Sequence, residues 1–285
     1  MIEFKPRLWT FLGLGAIALV SVSACQPGEG GAEPKASSTS TSDKAGEGEG
    51  EGAKTAVAPA INAIAAPSGE TGEAGASNAY SDIATSSHLG LRIAHVTGFL
   101  LIAQKSYDLG QVDEASVLVS QGLLEVYAPN SAALDTGAIG LKAALDKVVA
   151  DIDGKKPKAD VVASFAAASD KARQLELSSG AASQDIINGM LSISAGLYKG
   201  VIAPIGNDPT EYQHAYGAAL SAKAAFDAAK PQLSAKNGAR TEALGKDIDA
   251  LLSLFPAATL PETPASIAAI NGAASRAQLS LSGIR

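Results

Sequence analysis

From position 80 to the C-terminus, apolar residues recur at steps of three and four and nowhere sustain an alternation of two. That spacing lines them along one face of a 3.6-residue helix and excludes a half-buried strand. Leu89, Ile93, Val96 and Leu100 mark a first helix over about 81–107, closed by Leu109-Gly110. Leu118, Leu123 and Val126 mark a second over 112–127, and Leu134, Leu141, Leu145, Val148 and Ile152 a third over 131–153. Asp160 is placed to cap a fourth helix that reaches 178. Ile187, Leu191, Ser194 and Leu197-Tyr198 face inward from a fifth over 183–203. Asp208-Pro209-Thr210-Glu211 then gives a strong start: a capping acid, proline at the first helical position and glutamate at the third. This sixth helix runs to about 229, with Pro231 read as the next turn. Leu244, Ile248, Leu251 and Phe255 define a seventh over 234–255, and Thr263-Pro264 opens an eighth that ends near 281.

Eight helices with short connections predict an all-α antiparallel helical bundle. The helical body spans 80–285, either as one core or as two four-helix layers, 80–179 and 180–285. Composition agrees: 46% of residues are apolar but only 5% aromatic, and alanine carries much of the difference. Small residues let helix axes approach closely, whereas a sheet favours β-branched and aromatic side chains. The net charge of −7 lacks the basic footprint of a nucleic-acid binder. Five tyrosines, at 107, 127, 198, 212 and 216, are expected at the rim of the core with wetted hydroxyls.

The N-terminal 79 residues read differently. Lys5 and Arg7 precede an apolar run over 8–22, shorter than the ~20 residues that span a bilayer and of the size of a secretory signal. The run ends at Val22-Ser23-Ala24-Cys25, and Cys25 is the only cysteine. This resembles the lipobox of bacterial lipoproteins, which implies removal of 1–24 and acylation of Cys25. Stable anchoring takes two chains, and a triacylated cysteine exceeds that. Gln26, in place of aspartate, implies sorting to the outer membrane, on its periplasmic face. Residues 25–79 then form the lipidated cysteine and a tether. Positions 26–78 are rich in Gly, Ser, Thr and Glu, contain eight acids and three bases, and have no aromatic residue. Such a segment has too little apolar surface to offset its ordering entropy and is expected to be disordered.

Chemistry-bearing residues are sparse. There is no Gly-x-Ser-x-Gly elbow, His-Glu-x-x-His pair or phosphate loop, and the one cysteine is committed to lipid. The histidines are His88, His95 and His214. His88 and His95 lie seven residues apart, about 10.5 Å along a helix, which is poor spacing for one shared ion. Glu211 and His214 form a Glu-x-x-His step of the kind used in di-iron bundles, but no second such step exists. Across the turn at Leu109-Gly110, His95 and Glu125 lie at similar heights. With His214 from the sixth helix they make a candidate ligand set for a divalent metal ion with an open position.

Two stretches carry a further resemblance. One runs through Leu89-Gly90-Leu91, His95, Gly110, Ala115 and Glu125-Val126-Tyr127. The other is Glu211-Tyr212-Gln213-His214-Ala215-Tyr216-Gly217. Together they resemble helical envelope lipoproteins and the related periplasmic helical segments of iron-permease proteins. In that pattern two histidines and a proline precede the Glu-x-Tyr, at positions held here by Leu118, Gln121 and Gly122, and this chain carries about one extra turn before Gly110. The resemblance implies metal handling and leaves His95, Glu125, Glu211 and His214 as the remaining ligands. The combined expectation is a membrane-anchored lipoprotein acting as a non-enzymatic binding or scaffold module. It has no organic cofactor and no nucleic-acid partner, and its protein partner is unspecified. The alternative is an accessory protein for iron or copper.

Overall fold

A computed structural model describes residues 71–135, 139–203 and 206–284, which are helical almost throughout. The helices are α1 (Thr71–Ser81), α2 (His88–Asp108), α3 (Val112–Gln121), the single turn α4 (Ser131–Leu134), α5 (Leu141–Asp153), α6 (Lys158–Ser178), α7 (Ser183–Val201), α8 (Pro209–Leu252) and α9 (Ile267–Ser282). A 3-10 turn at Thr85–Ser87 leads into α2, and a π-helical turn at Gly122–Tyr127 continues α3. Two residues of β1 (Ile202–Ala203) pair antiparallel with β2 (Gly206–Asn207) between α7 and α8. The fold is the all-α bundle that the apolar spacing predicts. The apolar run over 8–22, Cys25 and the tether up to position 70 lie outside the described residues.

Several boundaries differ from those expected, each for a physical reason. α1 begins at Thr71, inside the stretch read as tether. Its buried face is made of Ala76 and Ala79, which pack toward α7 and carry little hydrophobic signal in sequence. The third helix divides into α4 and α5 at Gly140, which adopts φ +74°, a conformation open to glycine and strained for other residues. Asp160 falls in the first turn of α6 and does not cap it; Pro157 holds the cap position. Asp208 does cap α8, accepting from the backbone N–H of Thr210 at 2.8 Å and of Glu211 at 3.2 Å. The eighth helix starts at Ile267, capped by the Ser266 hydroxyl, three residues after the expected proline.

α8 contains a hairpin. Its backbone leaves helical geometry at Asn237 (φ −157°, ψ 93°), and the Asn237 side chain accepts from the N–H of Arg240 as a new cap. The arms on either side, 209–236 and 238–252, fold back on each other. Lys230 reaches Glu242 at 3.9 Å, Lys223 reaches Asp249 at 4.0 Å, and Phe226 lies against Gly245. These pairs converge on position 236, so the turn is at Asn237 and not at Pro231, around which the first arm stays helical.

The two halves of the body share one contiguous core. α2 and α7 are its centre. α2 buries Leu91, Ile93, Val96, Phe99, Leu100 and Ile102, which face neighbours on α3, α6, α7 and α8. Of the two alternatives, one core or two layers meeting at 179–180, the buried residues form the single core. α2 and the first arm of α8 run antiparallel and cross at Gly98 and Gly217. A Cβ on Gly217 would stand 2.6 Å from the Gly98 carbonyl oxygen, and one on Gly98 would stand 2.9 Å from that of Gly217. Backbone meets backbone there. One turn away, the buried Ser221 hydroxyl donates to the Ala94 carbonyl at 2.6 Å, and on α7 the buried Ser194 hydroxyl donates to the Ala215 carbonyl at 2.8 Å.

Four of the five tyrosines, at 127, 198, 212 and 216, are buried in the core, contrary to their expected place at a wet rim, while Tyr107 is only partly buried. Tyr127, Tyr198 and Tyr212 are fully buried and find protein acceptors: Asp135 Oδ1 at 2.5 Å, the Ala265 carbonyl at 2.8 Å and the Ala257 carbonyl at 3.0 Å. Tyr216 stacks on Phe255 with centroids 4.9 Å apart, and Tyr198 meets the same ring edge-on at 5.6 Å. A buried hydroxyl needs a partner, and the carbonyls of the irregular segment before α9 supply two of them.

The crossing makes a prediction. Gly217→Ala should lower stability by about 1–3 kcal/mol, because its methyl overlaps backbone that cannot move aside. Gly238→Ala, where a Cβ would meet nothing within 4 Å, serves as the control and should be neutral or stabilising. Urea denaturation measures both. A midpoint for Gly217→Ala equal to that of the unaltered chain would show that the crossing is not tight.

Candidate functional site

The Gly98–Gly217 crossing determines where the histidines fall. In its antiparallel register His214 is level with Leu101 and His95 with Leu220, an offset of about 9 Å along the axes. Phe99 occupies the space between them. Its ring centroid lies 5.6 Å from that of His95 and 4.6 Å from that of His214.

The third expected member comes from the π-helical turn. Gly122 opens that turn directly against Phe99, where a Cβ would stand 2.8 Å from the phenylalanine Cβ. The wider turn then directs Glu125 toward α8, and its Oε2 lies 3.8 Å from His214 Nδ1. π-turns inside helices occur frequently at functional sites. One turn earlier, Gln121 faces the other side of the same imidazole, with Oε1 3.3 Å from Nε2. Gln121 stands where the resemblance expects a histidine, so the position keeps a polar contact to the site while its chemistry differs.

His214 is buried and Glu125 is one-third exposed, so the pair sits at the margin of the core. Burial pushes the His214 pKa down to about 4, partly opposed by the Asp208 carboxylate. Burial pushes half-buried His95 down to about 3, with His214 adding a smaller push in the same direction. Both rings are uncharged at neutral pH. With the Gln121 oxygen toward Nε2, that nitrogen carries the proton and Nδ1 presents a lone pair to Glu125. With the amide turned over, Nδ1 carries the proton and donates toward the carboxylate. The Gln121 amide thus selects the His214 tautomer.

Of the sequence-derived set, then, Glu125 and His214 meet and His95 is set apart behind Phe99. Among the described residues, no three His, Cys, Asp or Glu side chains converge closely enough to hold a metal ion. This corrects the expectation that His95, Glu125 and His214 form a ready three-ligand centre; the crossing register offsets the two histidines. Glu211 lies elsewhere, buried beside Gly200. Two residues of the site escaped sequence reasoning. Phe99 carries the signal of lying four residues after His95, and Gln121 that of replacing a histidine in the resembling pattern. The site offers an uncharged imidazole, an amide and a carboxylate at a solvent margin, a set suited to hydrogen-bonding a polar ligand. No family profile, curated protein or solved structure matches the chain.

The lowered histidine values fix the direction of a pH effect. The unfolded chain binds protons at these rings near pH 6.5, whereas the folded chain binds them only near 4 and 3. Protonation therefore favours unfolding, and the contribution of these residues is complete above about pH 6.5 and is lost as pH falls toward 4 and below. His214→Gln should flatten the decline in stability between pH 6.5 and 4, as measured by urea midpoints across that range. An unchanged slope would show that His214 is not held neutral by burial.

Proposed function

We propose that this chain is a lipid-anchored protein of the bacterial envelope whose helical body is a non-enzymatic binding module. The observation that carries this reading is the sole cysteine, Cys25, closing Val22-Ser23-Ala24-Cys25 after an apolar run too short to span a bilayer. No described helix is long and apolar enough to cross a membrane, so the lipid is what would hold the body to the envelope. Gln26 favours the outer membrane. The segment over 26–70, ahead of α1, would give the body an r.m.s. reach of about 37 Å as a flexible chain. The His214–Gln121–Glu125 set is the surface at which a polar ligand would be read.

A metal-handling role is the second reading, favoured by one observation: Glu125 and His214 share a site, and burial keeps the imidazole in the neutral form that binds metal. Two protein donors would then need partners from a carrier or from solvent.

Cys25→Ser should shift the protein from the membrane to the soluble fraction and remove the mass increment from the mature N-terminal peptide. Unchanged fractionation together with an unmodified cysteine in the parent would defeat the anchored reading. For the metal reading, elemental analysis after exposure to iron or copper should show stoichiometric metal that is lost in His214→Ala. Metal-free protein, or metal equally retained by the variant, would defeat it.

A further inference from the structure

Arg92 is the only charged residue between Asp82 and Lys105, in the middle of the most apolar helix of the bundle. It is 5% exposed. A guanidinium keeps its charge at any physiological pH, so burying it demands a compensating anion or a full set of acceptors. Neither is present among the described residues. Every ion pair there uses a lysine or His214 as the cation. Arg92 Nε is buried without a hydrogen-bond acceptor. What faces the charge is the Tyr80 ring at the end of α1, with its centroid 5.8 Å from Arg92 Cζ.

The cluster has a third member. His88 lies one turn before Arg92, on the same face of α2, and its ring meets Tyr80 edge-on at 5.8 Å. His88 Nε2 is likewise buried with no partner. The nearby acid on α7, Asp185, accepts the Ser87 hydroxyl at 2.6 Å and makes no ion pair with Arg92. Two unsatisfied nitrogens on one helix face, one of them carrying a fixed positive charge, with an aromatic wall beside both, form an arrangement completed by an acceptor with negative charge and more than one oxygen. Carboxylate and phosphate fit the planar guanidinium fork through paired N–H···O bonds.

We propose that the Tyr80–His88–Arg92 cluster between α1 and α2 binds an oxyanion, a carboxylate or phosphate group, held by the Arg92 fork with His88 Nε2 as a second contact. This site is separate from the His214–Gln121–Glu125 set, and it stands or falls independently of lipid anchoring. The oxyanion is supplied by a free ligand that carries a carboxylate or phosphate group.

Thermal melts of the full chain in rising inorganic phosphate, and separately in acetate, at ionic strength held constant with chloride, test the site. The midpoint should climb by several degrees and saturate, as expected for a ligand that binds only the folded state. Arg92→Met should melt at or above the unliganded parent, because an uncompensated charge is gone, and should not respond to either anion. Arg92→Lys retains the charge without the fork and should respond more weakly, which keeps the test decisive where the methionine variant does not fold. No saturable response in the parent, or an undiminished response in Arg92→Lys or Arg92→Met, overturns the site.

Discussion

The contact on which the rest of the body depends is that of two backbones, at Gly98 and Gly217. Helix axes normally stand 8–10 Å apart, a distance set by the side chains at the contact. With no side chain on either helix, α2 and the first arm of α8 approach until carbonyl meets Cα. That approach brings Ser221 within hydrogen-bond reach of the Ala94 carbonyl and seats His214 on Phe99. It also joins a helix from the first half of the body to one from the second, which is why the core is continuous across what reads as a division. Displacing this contact by the width of one methyl would shift the register on which the site is built.

The site inherits its geometry from that crossing and from the π-helical turn at Gly122–Tyr127. Neither has an obvious periodic signature. A π-turn adds a residue to a helical repeat, and over six positions its apolar spacing is indistinguishable from that of an ordinary helix. What it changes is direction. It lets Gly122 fit under Phe99 while Glu125, three residues on, meets His214. The equal heights of His95 and Glu125 across the Leu109-Gly110 turn are readable from a count of residues. The offset of His95 from His214 is not, because it is fixed between helices more than a hundred residues apart in the chain.

Legibility in the sequence followed the size of the side chain that carries the signal. Leucine, isoleucine and valine stripes locate α2, α3, α5, α7 and the second arm of α8, since each buried residue is large enough to mark its face, whereas the first arm of α8 is marked by its Asp208-Pro209 start. α1 was hidden because its inner face is Ala76 and Ala79. The hairpin in α8 was displaced to Pro231 because proline is the more conspicuous breaker, whereas Asn237 turns the chain by supplying a cap to Arg240. The tyrosines were placed at the rim by their hydroxyls. The acceptors of Tyr198 and Tyr212 belong to the irregular segment before α9, and carbonyls in such a segment leave no trace in a sequence pattern. Arg92 was the opposite case: a single charge within an apolar run, visible in the sequence and easily passed over.

The aromatic grouping around Phe255 gives the folded body an optical signature of its own. Trp9, the chain's one tryptophan, precedes Cys25 and would leave with the signal. Near-ultraviolet absorption and emission of the remaining chain would then come from tyrosine, without an indole to collect its excitation energy. Three of the six tyrosines, at 198, 212 and 216, crowd around one phenylalanine at the junction of α7 with both arms of α8. Half of their number thus sits at one junction of the molecule, and a tyrosine signal from this protein reports in large part on the closure of that hairpin against α7.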